Sequence, residues 1–515
     1  MLLLFLTAAL LHAEDGCTVS GTVVNSVTGE RLSKVELRLE PVEWQSAPVA
    51  VTTSDAEGRF RFVSMDADRY KFLARRSGYL ETPYGALLQL ETGQALEGLV
   101  FRLRPAAVIS GTVRDSDGEP IEGAHVVLGR FTYSYDGHRI EGEDSTDTDD
   151  RGEYRFRGLE PGRYYVGVEA KGHDWNQVDR SQTTGPIQVS VPTLYPGVTE
   201  LSLATPVEVA LGGRANAIDI TLVRSRVFRV AGRVTNAPSA GYLNLTLHDS
   251  RNGAMRDREM HTSTLGSSGE FQFRDVPPGS YDLTTGTGTL RAKIPILVGA
   301  SDVEGIRVTL APGADIRLKV VPEGDAQPDL AGIPFFLTAD GRKGYVPDFP
   351  QGERWVVRNV PPDHYLLIPA ASRSGTYVKS ARTKDTDVLE SGLTVTSPES
   401  IEIEVTLAAD AGRVAGSVLD KNQAPLPGAV VALVPDKRSR FERFHNTTSD
   451  QNGRFEFAVV PPGDYKVFAW AEVELQAWTD PEFLKDYEKQ GERVTVEPKG
   501  RVTLNVAAAV PPERK

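Results

Sequence analysis

The chain has few of the residues that build metal centres or covalent frameworks. Its 515 residues include one cysteine and eight histidines. A single cysteine excludes an intrachain disulfide framework and any zinc or iron–sulfur site that needs several thiolates. The length points to several domains, because single hydrophobic cores stop growing at about 250–300 residues.

The chain lacks an excess of positive charge, and it lacks long apolar runs. Lys and Arg number 57 against 70 Asp and Glu, which gives a formal net charge of −13. We expect no nucleic-acid partner, because neutralising phosphates needs a dense basic face. We also expect no membrane-spanning segment, because no stretch reaches 18 apolar residues. The 48 glycines and 33 prolines indicate a turn-rich folded chain.

A short apolar run opens the chain. Residues 1–13 read MLLLFLTAALLHA, and Glu14 and Asp15 follow. This pattern is typical of a secretory signal peptide cleaved after Ala13, although no Lys or Arg precedes the run. We expect a secreted, periplasmic or cell-envelope protein; a frayed apolar terminus is the alternative. Cys17 fits the first strand as a small hydrophobe better than a lipid-anchor site, because acidic residues precede it.

One internal pattern returns five times: a glycine, an aromatic two residues on, an aromatic or valine two further, and then a tyrosine. In four copies the tyrosine follows the glycine by 12 residues, and the copies lie about 100 residues apart, as whole domains in tandem would. The other copy keeps Trp355, Val357 and Tyr365 without the glycine. The four Gly–Tyr pairs are Gly58 and Tyr70, Gly152 and Tyr164, Gly269 and Tyr281, and Gly453 and Tyr465.

Each repeat also has an opening strand and a closing strand. Period-two alternation with frequent turn residues predicts half-buried antiparallel β-sandwiches, in which the paired phenylalanines are buried and the tyrosine hydroxyl reaches nearby backbone. The clearest helix signal covers residues 479–491, with Pro481 near its start. The opening strands are Val19–Val23, Ile109–Val113, Val230–Val234, Ile316–Val320 and Val414–Val418.

The succession S-G-x-V, G-x-P-L-x-G-A-x-V, G-x-F-x-F and P-P-G-x-Y resembles the carboxypeptidase regulatory-like repeat. Residues 20–70, 110–164 and 415–465 carry it best. The resemblance implies the fold of transthyretin and of the B-type repeats of bacterial collagen adhesins. The expected fold is all-β: a tandem array of about five seven-stranded prealbumin-like, or carbohydrate-binding-like, β-sandwiches. It also implies an accessory or adhesive module, usually bacterial and exported, with carbohydrate binding only by analogy.

The repeat positions predict the domain organisation. The expected signal peptide over residues 1–13 precedes the five sandwiches, which we number units 1 to 5. Only a few residues join neighbouring units, so the sequence predicts a semi-rigid monomeric rod of roughly 150 Å. The units cover residues 14–104, 105–225, 226–311, 312–409 and 410–515.

Nothing in the sequence supports catalysis. There is no G-x-S-x-G or P-loop motif, and the lone His138–Glu141 pair lacks a third metal ligand in a recognisable frame. We therefore expect no enzyme and no cofactor. A further expectation is that no isopeptide cross-link forms. Only Lys319 lies in an opening strand, and the closing strand of its unit offers no Asn or Asp.

Three groups of candidate site residues remain. Glu143, Asp144, Asp147 and Asp149 could bind calcium, or could form a solvated acidic loop. Trp175 and Trp478 lie in or near loops, where they could stack on a ligand, although packing is the favoured interpretation. The basic residues at 437, 438, 440 and 443 are interpreted as a solvated hairpin tip.

Two functional hypotheses follow. The first is a non-catalytic, exported structural or interaction protein that presents loops to a protein or cell-surface partner. The alternative is a polysaccharide-binding accessory protein, which requires two or more exposed, coplanar aromatic side chains on one face of a sandwich.

Overall fold

A computed structural model describes the chain as a series of small β-sheets. It covers residues 16–43, 48–85, 87–134, 137–169, 188–236, 243–249, 259–263, 268–287, 289–324, 335–339, 348–351, 354–369, 375–384, 386–396 and 398–510. Two facing sheets in each unit enclose a separate hydrophobic core. The expected all-β tandem-sandwich fold is confirmed.

Units 1 and 2 contain the first nineteen strands. Unit 1 has β1 (Cys17–Asn25), β2 (Glu36–Pro41), β3 (Ala50–Thr53), β4 (Arg59–Met65), β5 (Arg69–Arg75), β6 (Thr82–Pro83), β7 (Leu88–Gln89) and β8 (Ala95–Leu103). Unit 2 has β9 (Ala107–Arg114), β10 (His125–Ser134), β11 (Gly137–Asp147), β12 (Glu153–Leu159), β13 (Gly162–Glu169), β14 (Gln188–Ser190), β15 (Thr193–Leu194), β16 (Val207–Val209), β17 (Arg214–Ala215), β18 (Ile220–Thr221) and β19 (Arg224–Arg226).

Units 3 and 4 are the divergent repeats. Unit 3 has β20 (Phe228–Thr235), β21 (Asn244–Asp249), β22 (Glu259–Ser263), β23 (Glu270–Val276), β24 (Gly279–Thr287), β25 (Leu290–Val298) and β26 (Val303–Thr309), and β27 (Ala311–Pro312) then pairs with β25. Unit 4 has β28 (Ala314–Pro322), β29 (Phe335–Thr338), β30 (Asp348–Gln351), β31 (Arg354–Val360), β32 (Asp363–Pro369), β33 (Tyr377–Arg382), α1 (Val388–Ser391), β34 (Leu393–Val395) and β35 (Ile401–Ala408).

Unit 5 is a seven-stranded sandwich. Its elements are β36 (Gly412–Leu419), β37 (Val430–Pro435), β38 (His445–Thr448), β39 (Arg454–Val460), β40 (Gly463–Trp470), α2 (Pro481–Lys485), β41 (Glu492–Val496) and β42 (Arg501–Ala507). Its three-stranded sheet has the order β39-β36-β42, and its four-stranded sheet the order β38-β37-β40-β41.

The opening strand of each unit lies in the middle of its sheet. It pairs antiparallel with one neighbour, whereas its closing-strand partner runs parallel to it, as β8 does beside β1 and β42 beside β36. The prediction of purely antiparallel sheets is therefore wrong at this pair. In unit 5 the chain reaches β42 from β41, which belongs to the other sheet, and such a crossover permits parallel pairing. Alternation of apolar residues does not reveal strand direction.

The repeated glycine of the opening strand lies against the closing strand. A Cβ on Gly21 would lie 2.0 Å from the carbonyl oxygen of Leu99, and one on Gly416 would lie 1.9 Å from that of Leu504. A Cβ on Gly111 would lie 2.1 Å from the carbonyl oxygen of Ile218, two residues before β18, and one on Gly232 would lie 2.2 Å from that of Ile306 in β26. The glycine is needed because two backbones meet there.

The repeated aromatic residues are buried, as predicted. The six paired phenylalanines are at most 6% exposed, and each repeat tyrosine is at most 5% exposed. In all five units the tyrosine hydroxyl donates to the carbonyl oxygen four residues earlier, at 2.7–3.1 Å. Unit 4 keeps this bond, through Tyr365 and Pro361, although it lacks the glycine.

A second repeated bond was not predicted from the sequence. Ser449 is fully buried, and its hydroxyl donates to the Leu426 carbonyl at 2.7 Å and accepts from the Ala429 amide at 2.9 Å. Ser54 and Thr148 make the equivalent pair of bonds in units 1 and 2. This side chain ties the loop before the second strand to the loop before the G-x-F-x-F strand.

The predicted helix is shorter than expected. Asp480 caps it by accepting the Glu482 amide, and Pro481 is its first residue, but α2 ends at Lys485 instead of continuing to residue 491. No helix in the described residues is long and apolar enough to cross a membrane.

Unit 5 folds back onto units 1 and 2. The ring of Phe483 in α2 lies 5.9 Å from that of Tyr133 in β10, and Arg130 Nε lies 3.9 Å from Glu474 Oε1. Arg104, at the end of unit 1, approaches Glu472 to 3.7 Å. A linear rod would keep two whole units between these surfaces, so the predicted rod is wrong. Linker length alone does not show that the β10–β11 hairpin and the segment around α2 extend beyond their sandwiches.

Candidate binding site between units 4 and 5

The acidic residues proposed for calcium lie on β11 and in the turn after it. Asp147 Oδ1 is 2.9 Å from His125 Nδ1, and Asp149 Oδ1 accepts the amides of Arg151 and Glu153. Glu143 and Asp144 are exposed on the strand. Within the described ranges no three His, Cys, Asp or Glu residues are grouped as metal ligands. Calcium binding at these residues stays a prediction.

The two tryptophans proposed for ligand stacking have different outcomes. Trp175 lies outside the described residues. Trp478 is 2% exposed, and its ring stacks on Trp470 with centroids 6.3 Å apart. A ring buried in this way has no free face for a ligand, so Trp478 is a packing residue that supports α2. This corrects the ligand-stacking hypothesis for Trp478.

A cavity of about 510 Å³ lies between units 4 and 5. Unit 4 supplies the end of β32 and the start of β33. Unit 5 supplies Phe441, Glu442 and Phe444 from the segment before β38, together with β38 and β39. Small-molecule and peptide-sized pockets commonly have volumes of about 300–1,000 Å³ and often lie between domains.

His445, the first residue of β38, is on the cavity wall. Its Nε2 is buried and has no hydrogen-bond partner among the described residues. Burial, together with the nearby Arg443 guanidinium, lowers the pKa of the imidazole to about 4. The ring is therefore neutral at pH 7 and leaves one nitrogen available to a ligand.

The carboxylates on the wall are paired within the protein. Glu442 Oε1 lies 2.5 Å from Arg440 Nε and 3.9 Å from Arg443 Nε. Burial raises the pKa of Glu442, and the two guanidiniums oppose that rise. Glu456 pairs with Arg413 at 2.8 Å. The cavity thus offers hydrogen-bonding groups without an uncompensated carboxylate.

Hydrogen bonds between the units hold the cavity together. Arg440 is 6% exposed and donates through Nη2 to the Lys379 carbonyl of β33 at 3.2 Å. The Tyr377 hydroxyl donates to Asp410 Oδ1, in the linker, at 2.8 Å. The interpretation of residues 437–443 as a solvated tip is therefore wrong at Arg440. The basic composition of this segment suggested solvent exposure, although Arg440 forms a buried contact between units 4 and 5.

The wall is suited to binding. Phe441, Phe444 and Phe457 line the cavity, the last two only 9% and 6% exposed, and His445 supplies a buried polar atom. Sequence reasoning missed this site because its two walls come from different repeats. The one available signal was a histidine next to the basic segment.

Comparisons with known proteins agree with the repeat assignment. The family model described as carboxypeptidase regulatory-like domain matches residues 18–104, 108–223 and 413–509, which lie in units 1, 2 and 5. The proteins named BOS complex subunit NOMO1 from Mus musculus and from Homo sapiens are each 33% identical over 119 residues, 23% of this chain and 9% of theirs. The chain therefore matches about a tenth of the length of these relatives.

Solved structures with some likeness include a streptococcal ancillary pilin, at 14% identity and a TM-score of 0.18, covering 54% of this chain and 98% of the pilin. Another is the pair of B repeat units of the Staphylococcus aureus collagen binding protein, at 12% identity and a TM-score of 0.14, covering 76% and 99%. These scores are too low to carry an argument about function. The family model covers more than half of the chain, and the protein belongs to the carboxypeptidase regulatory-like domain family.

Proposed function

We propose that this chain is a non-catalytic, exported interaction protein whose tandem sandwiches form a scaffold for binding a protein partner at the cell surface. The observation that carries the proposal is the cavity between units 4 and 5, which inter-unit hydrogen bonds hold together. On its wall, His445 Nε2 has no hydrogen-bond partner in the part of the chain that the structure describes. The apolar segment at residues 1–13 supports export.

The roles of the buried polar side chains also favour a scaffold. The repeat tyrosines and the hydroxyls of Ser54, Thr148 and Ser449 bond to backbone and stabilise each sandwich. Arg440 joins two units. These groups stabilise structure, because the hydrogen bonds named here all run to backbone carbonyl oxygens.

A binding experiment separates the two classes of partner. The chain from residue 14 is immobilised, and the envelope fraction of the cells that produce it is passed over it. One sample of that fraction is treated with protease and another with periodate, which destroys glycans. We expect protease to abolish binding and periodate to leave it. The reverse result would favour the polysaccharide-binding alternative, and no binding by the untreated fraction would contradict the proposal.

A further inference from the structure

We propose that the cavity between units 4 and 5 takes an extended, uncharged peptide segment, which adds a strand to the free edge of β38 and inserts one apolar side chain. This inference rests on the proposed function and specifies the chemistry of the partner. It follows from the strand edges, the wall chemistry and the paired charges of the cavity.

The cavity lies at strand edges. In the described sheets β38 pairs only with β37, and β39 pairs only with β36. Three consecutive residues of β38, from His445 to Thr447, line the cavity, and so do four of β39, from Glu456 to Val459. Successive side chains point to opposite faces of a sheet, so a cavity that touches consecutive residues borders the strand edge.

A strand edge offers backbone hydrogen bonds to an incoming chain. Its outward N–H and C=O groups have no strand partner, and an extended peptide satisfies them in the mode known as β-augmentation. β38 has four residues, enough for a short added strand. Tyr377 and Val378 of unit 4 close the cavity on the other side, so an added strand would be enclosed between two units.

The side chains on the wall favour an apolar residue flanked by neutral backbone. Half-buried Phe441 and the more deeply buried Phe444 and Phe457 are the aromatic residues of the wall. The neutral His445 ring lies 6.4 Å from the Phe457 ring and can donate or accept one hydrogen bond through Nε2. Because Glu442 and Glu456 already have guanidinium partners, a charged segment would lose its hydration without gaining a counter-ion.

The first test uses short peptides and the full chain labelled with ¹⁵N at histidine. The probe is the N-acetylated, C-amidated pentapeptide Thr-Val-Phe-Val-Thr. One control replaces the central Phe by Glu, and another replaces both Val by Pro, which removes two backbone donors. We expect saturable shifts of the His445 ring signals, with both controls weaker by roughly ten-fold or more. If millimolar probe leaves these signals unmoved, or if N-acetyl-phenylalanine amide binds as tightly as the pentapeptide, the strand proposal is wrong.

Two variants locate the binding site. In titration calorimetry, which needs no histidine signal, His445→Ala should weaken pentapeptide binding by roughly ten-fold, whereas His364→Ala should leave it unchanged. His364 is exposed in unit 4, where its ring bonds to Thr394 rather than lining the cavity. Equal binding by wild type and both variants would overturn the proposal. If envelope proteins bind but the pentapeptide does not, this inference is wrong and the proposed function stands. If the pentapeptide binds but no envelope protein does, the proposed function is wrong and this inference stands.

Discussion

At the scale of single residues, the glycine of the opening strand and the repeat tyrosine stabilise the sandwich for different physical reasons. The glycine removes a side chain where the backbones of two strands meet, and the tyrosine adds a buried ring with a backbone hydrogen bond. Both could be found from the sequence because their spacing repeats. The bonds of Ser449, Ser54 and Thr148 could not be predicted, because serine and threonine are common in turns. The role of His445 could not be predicted, because this histidine does not recur in the other repeats.

The glycine requirement can be tested within unit 3. A Cβ on Gly232 would lie 2.2 Å from the carbonyl oxygen of Ile306, whereas Gly299 has no atom within 4 Å of the equivalent position. We expect Gly232→Ala to destabilise unit 3 by several kcal/mol, since β20 and β26 would have to separate, and Gly299→Ala to change stability by less than about 0.5 kcal/mol. Amide hydrogen exchange of unit 3 peptides measures both. Equal protection in the two variants would contradict the close-approach explanation.

His445 makes the stability of unit 5 depend on pH. Burial and Arg443 lower the folded-state pKa to about 4, whereas the unfolded chain binds the proton near its ordinary pKa of about 6.5. The neutral imidazole therefore contributes its full stabilisation of unit 5 above the pKa of the unfolded chain. That contribution is lost as the pH falls towards the pKa of the folded protein. The loss is at most on the order of 3 kcal/mol.

The measurement is urea unfolding at pH 7 and pH 5 for wild type and His445→Gln. Other titrating groups contribute equally to the pH dependence of stability in both proteins. The difference between the two pH dependences therefore reports the contribution of His445. We expect the variant to lose less stability than wild type between the two pH values. An identical loss would show that the imidazole is not held neutral.

At the scale of elements, the strand that carries the repeated aromatic pair contributes to the core of its sandwich. Phe455 is 5% exposed and lies on β39 opposite Gly416. Phe455→Ala should cost about 3–5 kcal/mol by leaving a cavity, and Leu475→Ala, at a side chain 68% exposed in the same unit, should cost little. Hydrogen exchange should rise in unit 5 and stay unchanged in unit 1. A Phe455→Ala protein with wild-type protection would contradict the core assignment.

Strand existence was predictable from the sequence, but strand direction and helix length were not. Alternation locates β36 and β42, yet pairing direction depends on which sheet the chain leaves before it returns. Residues 479–491 contain helix start and stop signals, but α2 extends only from Pro481 to Lys485. Tertiary packing of that segment outweighs the local propensity of its residues.

The opening strands also bear on covalent cross-linking. Lys319 of β28 is 41% exposed and forms an ion pair with Glu404 at 3.1 Å, so it is not the buried lysine that an isopeptide bond requires. We expect the intact mass of the mature protein to equal the sum of its residue masses plus one water molecule. A deficit of one ammonia molecule would reveal a bond between Lys and Asn and would contradict this expectation.

At the scale of the whole molecule, five sandwiches in series do not form a straight array. The contact between units 2 and 5 combines the Tyr133–Phe483 ring pair with the Arg130–Glu474 pair. Burial raises the pKa of Glu474, while Arg130 and Arg163 oppose the rise. Repeat spacing predicted the number of units, but their arrangement depends on loops that differ between repeats. The unit boundaries near residues 105, 226, 312 and 410 stay predictions.

The folded-back arrangement brings Tyr133 and Phe483 together, and cross-linking tests it directly. Both residues are replaced by cysteine and the chain is treated with a short bismaleimide; Cys17 is fully buried and should not react. We predict rapid intramolecular cross-linking, with peptide mapping joining β10 to α2, and none in either single-cysteine variant. A double variant whose two new cysteines are both modified but never joined would show that units 2 and 5 lie apart. That result would contradict the folded-back arrangement of the five units.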